Sequence, residues 1–152
     1  MTGRFAALYV GALAAVVSTF LLTACVDTEL GLDATIDDAR VEVAGTEVAV
    51  ELDITYRVGT YAEGVRLFQP SAIDLFVEGA LVASLTPSTP PGFVSRLEPG
   101  QVEMNTFRAT VSDVADAAQL CGDVEVTVLF RWLDVENTEF GMTEVIASNV
   151  SC

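Results

Sequence analysis

The chain has 152 residues, and its 22 Asp and Glu against seven Arg give a formal net charge of −15 at pH 7. It contains neither His nor Lys, which excludes Ser–His, Cys–His and Lys nucleophiles and leaves zinc and most catalytic transition metals without imidazole ligands. Nucleic-acid binding is excluded as well, because neutralising phosphates requires basic residues that the chain lacks.

The first 25 residues, MTGRFAALYVGALAAVVSTFLLTAC, have the three parts of an export signal. Arg4 and the amino terminus are positive, positions 5–22 are apolar and uncharged, and two small residues precede Cys25. The tetrapeptide Leu-Thr-Ala-Cys at positions 22–25 resembles the lipobox of bacterial lipoproteins. The resemblance implies that residues 1–24 are removed as a signal peptide and that the Cys25 thiol carries a diacylglyceryl group. It covers these 25 residues alone.

Two other interpretations of this leader stay open. The 20 residues at positions 5–24 are long enough to span a bilayer as an uncleaved anchor, or the segment is an ordinary signal that ends by chance at a cysteine. In all three cases the domain behind it is exported. Lipidation would hold it on the extracytoplasmic face of a membrane, inner or outer. The expected domains are the signal at 1–24, the lipidated cysteine with a short tether at 25–33, and one folded domain at 34–152.

The leader holds one Arg and no acid, so the mature chain keeps six Arg against 22 acids, a net charge of −16. Such a charge keeps a domain soluble and repels anionic lipid head groups. The acidic surface is either a cation-binding or salt-adapted feature or a solvated consequence of composition. The tether VDTELGLD spans at most about 25–30 Å, which holds the domain close to the membrane.

Strict alternation of apolar and polar residues predicts strands from the start of the domain. Residues 35–43 form a candidate strand, Ala44–Thr46 a turn, and Glu47–Val58 a second strand with one buried and one wet face, as in an antiparallel sheet. Ala72–Leu85 predicts a hairpin that turns at Glu78–Gly79. The apolar set of the second strand is Val48, Val50, Leu52, Ile54, Tyr56 and Val58.

The proline-rich segment LTPSTPPGF, residues 85–93, predicts a surface connection between the two sheets, or alternatively a stiff recognition loop that presents Phe93. A turn at Pro99–Gly100 then precedes another strand. Its inward positions change parity, from Val102 and Met104 to the set that begins at Phe107. This change predicts a bulge near residues 105–106.

The last third of the chain predicts one short helix and two strands. The helix is expected within Ser112–Leu120, with Ser112 or Asp113 as its N-cap and Gly122 after its end. Asp123–Trp132 alternates with Val124 among its inward residues, and Leu129 on its wet face favours a strand that is central or partly covered. The final strand is expected within residues 143–150, after a turn near residues 136–137.

Cys121 and Cys152 are the two cysteines outside the leader. In an exported domain an even number of thiols predicts a disulfide, and closing a loop of about 30 residues is worth roughly 3–4 kcal/mol. A metal pair or a redox couple would be the alternatives, but the chain lacks both a CxxC spacing and His.

About seven short strands predict an all-β fold, an immunoglobulin-like antiparallel β-sandwich with one short helix, preceded by the signal peptide. Cys121, Trp132 and Cys152 stand in the order of an antibody domain, but their spacing does not allow its inter-sheet bridge. No specific domain family is identified.

One cluster of acidic and amide side chains is the candidate metal site. Asp134, Glu136, Asn137 and Glu139 supply oxygen ligands that Ca²⁺ could use, but they lack the spacing and glycine of an EF-hand, which favours a polar hairpin turn. No catalytic residue, bound metal or cofactor is therefore expected.

The predicted function is that of a non-catalytic interaction or structural module of the cell envelope, not an enzyme. Its expected partners are the membrane, through lipid on Cys25, and an envelope protein or glycan. A domain that binds Ca²⁺, a cationic ligand or a glycan is the alternative. The expected contact surfaces are residues 87–93 and any unpaired edge strand.

Overall fold

The computed structural model describes residues 31–136 and 138–152. Within these residues nine β-strands and one 3₁₀ turn follow one another. The strands are β1 (Leu32–Ala44), β2 (Glu47–Val58), β3 (Arg66–Val77), β4 (Ala80–Leu85), β5 (Arg96–Leu97), β6 (Val102–Val111), β7 (Val126–Asp134), β8 (Glu139–Ile146) and β9 (Asn149–Ser151), and the 3₁₀ turn spans Ala117–Leu120. Cys25 and the leader lie outside the described residues.

The strands form a sandwich of two sheets. The first sheet has the order β6-β2-β1-β9, and the second has the order β4-β3-β7-β8 with the short β5 beside β3. All neighbours are antiparallel except β9, which runs parallel to β1. The two sheets hold β1-β2-β6 and β4-β3-β7-β8, which is an immunoglobulin-like strand order. The predicted all-β sandwich is confirmed, and β7 is central in its sheet, as Leu129 indicated.

The core lies between the sheets, where both inner faces supply alternating apolar side chains. Among the residues that the structure describes, the buried apolar side chains fall between Ala34 and Trp132. Aromatic rings fill its centre, and Tyr56 stacks on Phe68 with 4.3 Å between ring centroids. The rings in mutual contact are Tyr56, Phe68, Phe93, Phe107, Phe130 and Trp132.

The bulge predicted in β6 is wrong. The register between β2 and β6 is continuous along the whole of β6, and Val102 and Met104 lie on the outer face, exposed to solvent. The inner face keeps its parity through Asn105, whose side-chain amide donates to the Tyr56 hydroxyl over 2.9 Å. A polar residue at an inward position, placed there to pair with a buried hydroxyl, produced the apparent change of parity.

Three other sequence expectations are corrected by the structure. The helix is a four-residue 3₁₀ turn preceded by Asp116, without a side-chain cap, and Asp113 instead adopts a positive φ of 61°. Val124 precedes β7 and is exposed rather than inward. The expected last strand is two strands, β8 in the second sheet and β9 in the first, because the chain crosses between sheets at residues 147–148.

β1 begins at Leu32, two residues before the expected start of the domain. This end of the sandwich, here called the tether end, also contains the end of β7 and the start of β8. Leu32, Trp132, Phe140 and Met142 line a common cleft of about 510 Å³ there. The opposite end carries the β3–β4 hairpin.

Candidate functional site

The outer face of the first sheet is mostly polar and internally paired, with the exposed apolar residues Val102 and Met104 at the start of the edge strand β6. Arg40 of β1 lies across from Glu51 of β2, which in turn lies across from Arg108 of β6. Glu51 accepts a hydrogen bond from each of these guanidinium groups, that of Arg108 at 2.6 Å. Arg40 also contacts Asp38 at 2.6 Å and Asp53 at 3.2 Å. This face meets the usual expectation for the solvated side of an antiparallel sheet.

These contacts shift the titration of two groups. A hydrogen bond from the Ser148 hydroxyl, followed by one from Arg40, holds the pKa of the Asp38 carboxyl below its ordinary value of 3.8. Its hydrogen bond with Asp38 raises the pKa of Arg40 in turn. Because the Asp38 pKa is lowered in the folded state, its contribution to stability is present above pH 3.8 and is lost as the pH falls through the folded pKa.

The outer face of the second sheet is different, because apolar side chains dominate it. Phe140 and Met142 of the edge strand β8 expose 78% and 67% of their surface, and Ile146 exposes 53%. The cross-strand partner of Phe140 is Leu133 of β7, and that of Leu81 in β4 is Phe76 of β3. The apolar face, as the term is used below, consists of Phe76, Leu81, Leu129, Leu133, Phe140, Met142 and Ile146.

The charges within the apolar face largely cancel one another. Asp74 of β3 is 5% exposed although it points outward, and its carboxylate accepts from Arg131 at 2.8 Å and from the Ser84 hydroxyl at 2.6 Å. Glu144 of β8 lies across from Leu129. A neutral pair and one carboxylate among seven apolar side chains form a surface suited to burial against another macromolecule.

The edge strand β8, which carries Phe140 and Met142, packs closely against Trp132 at a glycine. Gly141 lies across from Trp132 of β7, and a Cβ at position 141 would fall 2.1 Å from Cε2 of that indole. The ring therefore lies directly over the glycine and covers the edge of the core. Side chains 140 and 142 point outward because glycine 141 points inward.

The predicted disulfide is confirmed. Cys121, which follows the 3₁₀ turn, and Cys152, the last residue, are joined with 6.1 Å between their Cα atoms. The bond fixes the end of β9, whose three residues pair with β1. It joins the segment before β7 to the chain terminus rather than crossing between two facing strands, as an antibody-type bridge would.

The candidate metal cluster is not assembled as an oxygen-only site. The Asp134 carboxylate is buried and accepts from the Arg66 guanidinium at 3.0 Å and from the Leu67 amide at 3.2 Å. The same guanidinium lies 3.4 Å from Glu139. Asn137 lies outside the described residues, and no group of three or more potential ligands is found among those described.

The proline-rich segment serves packing as well as connection. The Phe93 ring contacts Tyr56, Phe68 and Phe107 with centroid distances of 5.7–6.2 Å, so it is a partly buried core residue rather than a presented one. Ser88 bridges to β6, where its amide and hydroxyl each donate to the Arg108 carbonyl at 2.7 Å. The segment thus contacts both sheets, and β5 follows it in the second sheet before the chain reaches β6.

Sequence reasoning did not identify the apolar face. The alternation of Phe140, Met142 and Ile146 was available as a signal, but apolar alternation normally indicates the buried side of a strand. Only the pairing of four strands shows that these side chains share an outer face.

No family model matches the chain, and no curated protein matches it. In the described part of the chain, none of the helical segments has the length and apolar character needed to cross a membrane.

Proposed function

We propose that this protein is a lipid-anchored, extracytoplasmic interaction module that has no catalytic activity and binds a protein partner through its apolar face. The observation that carries the proposal is the contrast between the two outer sheet faces. On the first, outward charged side chains of the three longer strands pair with one another, and the exposed apolar residues Val102 and Met104 are confined to the start of the edge strand β6. On the second, Phe140, Met142 and Ile146 project into solvent.

Phe140, Met142 and Ile146 belong neither to the buried core nor to the partly buried side chains packed against it. They lie on the opposite side of the sheet from the core, so they add nothing to its packing, and their exposure to water is unfavourable by about 25 cal/mol per Å². In a chain with 22 acidic residues, polar residues at these positions would give a more soluble domain. A partner that covers the face accounts for their presence.

The anchoring part of the proposal rests on the Leu-Thr-Ala-Cys pattern. With Cys25→Ser, the protein should leave the membrane fraction or remain an uncut precursor, whereas the wild-type protein should carry diacylglycerol on Cys25 by mass spectrometry. An unmodified Cys25 or cleavage elsewhere would refute the lipid anchor. Neither result would bear on binding through the apolar face.

The interaction part is tested by a matched pair of charge substitutions. Met142 on the apolar face and Met104 on the first sheet expose 67% and 70% of their surface, so an aspartate at either position should be equally tolerated by the fold. Crosslinking in intact cells should give partner adducts that Met142→Asp removes and Met104→Asp retains. Equal adduct yields from both variants would show that the apolar face is not the contact surface.

A further inference from the structure

We propose that the apolar face pairs with the same face of a second copy of this chain anchored in the same membrane. The inference rests on the lipid-anchored module proposed above and names its partner. Three features of the structure lead to a second copy: the distribution of charge, the position of the tether end, and the area of the face.

Charge restricts where two copies can meet. Each mature chain carries 22 acids against six Arg, so in most relative orientations two copies would bring negatively charged surfaces together. At physiological salt this repulsion is screened only at separations beyond about 8 Å. The apolar face is an exception. Asp74 and Arg131 neutralise each other at 2.8 Å, and Glu144 is the remaining charge in the paired rows of β3, β7 and β8.

The position of the anchor allows two copies to align. Cys25 is six residues from Gly31, a reach of at most about 20 Å, so the tether end of each domain stays near the membrane. β8 begins at this end beside Leu32 and runs toward the opposite end. A two-fold axis along the strands can therefore bring two apolar faces together while both anchors stay in one bilayer.

The area of the face predicts a weak dimer. Four strands about 4.8 Å apart, each with about eight residues at 3.4 Å, present about 500 Å² per copy, or about 1,000 Å² for the pair. That is the lower limit for a specific interface. Two copies confined to one membrane have a raised effective concentration, so the dimer should form on the membrane and dissociate on dilution in solution.

The test uses the full-length chain in its membrane. A benzoyl-phenylalanine photocrosslinker is placed at position 140 on the apolar face or, as the control, at position 104 on the first sheet. Two copies with different affinity tags are co-expressed, so that a self-adduct carries both tags. We expect a doubly tagged adduct from position 140, with a yield at least about tenfold above that from position 104, because a direct contact should exceed random collision by that factor.

A charge substitution provides the second variant. Met142→Asp should lower the adduct yield from position 140 about tenfold or more, because it removes an apolar contact and adds a second outward carboxylate to β8 besides Glu144. Arg131, which lies across from position 142, is already paired with Asp74. Met104→Asp should leave the yield unchanged, and thermal melting should show that both variants fold. An unaffected yield with Met142→Asp would refute pairing through this face.

The remaining outcomes separate this inference from the proposed function. An adduct from position 140 with a different protein alone would refute the second copy and support the interaction module. Equal yields from positions 140 and 104, or no adduct from position 140, would refute docking on the apolar face altogether. Loss of the wild-type protein from the membrane fraction would refute the anchor, whatever the crosslinks show.

Discussion

Replacing Gly141 with Ala tests how the edge strand is held against the core. A Cβ there would lie 2.1 Å from Cε2 of Trp132, where an ordinary contact is 3.4–4 Å, so the indole must move by about 1 Å or more. Trp132 is 4% exposed and packs against Phe68 and Phe130, and forcing such a shift in a packed core costs about 1–3 kcal/mol. Complete loss of about 200 Å² of buried indole surface would cost about 5 kcal/mol, which is the upper bound.

Tryptophan fluorescence can follow this movement, because Trp132 is the only tryptophan of the chain. In Gly141→Ala, its emission should shift to longer wavelength, and urea unfolding should show the lower stability. Gly31→Ala is the matched control, since nothing lies within 4 Å of its Cβ position. Combining Gly141→Ala with Trp132→Phe should relieve part of the penalty, as a double-mutant cycle would show. Unchanged emission with a loss of stability below about 0.5 kcal/mol would refute the packing argument.

Replacing both Cys121 and Cys152 with Ser opens a loop of 31 residues. The free energy of unfolding should then fall by about 3.7 kcal/mol, and a loss below about 1 kcal/mol in urea titrations would contradict the loop-entropy argument. Burial, and then the nearby Glu103 carboxylate, raises the pKa of Tyr56 from 10.0 to about 12. Because the folded pKa is the higher one, this contribution to stability is present below pH 10.0 and is lost as the pH rises through about 12. With Tyr61→Phe, the residues from Gly31 onward keep Tyr56 as their only tyrosine, and phenolate absorbance at pH 10 before unfolding would contradict the assignment.

The strands that the sequence predicts best are those whose two faces differ most. Glu47–Val58 matches β2 residue for residue, because each inward position is apolar and nearly every outward one is charged or polar. The hairpin at Glu78–Gly79 follows from its turn, where both residues have a positive φ. In these segments the alternation of apolar and polar residues agrees with the alternation of buried and exposed positions in the folded sheet.

The predicted bulge in β6 was wrong, and the outward face of β8 was not recognised, because in each strand a tertiary contact occupies an inward position. In β6 an inward Asn105 pairs with the buried Tyr56 hydroxyl, while Met104 points outward. In β8 the inward position at Gly141 is occupied by the Trp132 ring, while Phe140 and Met142 point outward. At these positions of both strands the apolar side chains are the exposed ones, and the local sequence holds no sign of the distant aromatic ring that the inward residue contacts.

The disulfide and the apolar face are connected through the path of the chain. β8 belongs to the second sheet, but the chain leaves it at Ala147, and Ser148 then donates its amide to the Ala39 carbonyl of the first sheet. β9 then pairs with β1 through three residue pairs, and Cys152 follows it. A short edge strand that pairs with a single neighbour opens more readily than a central strand. The bond to Cys121 therefore limits fraying at the point where β8 changes sheets, and it stabilises the strand on which the apolar face depends.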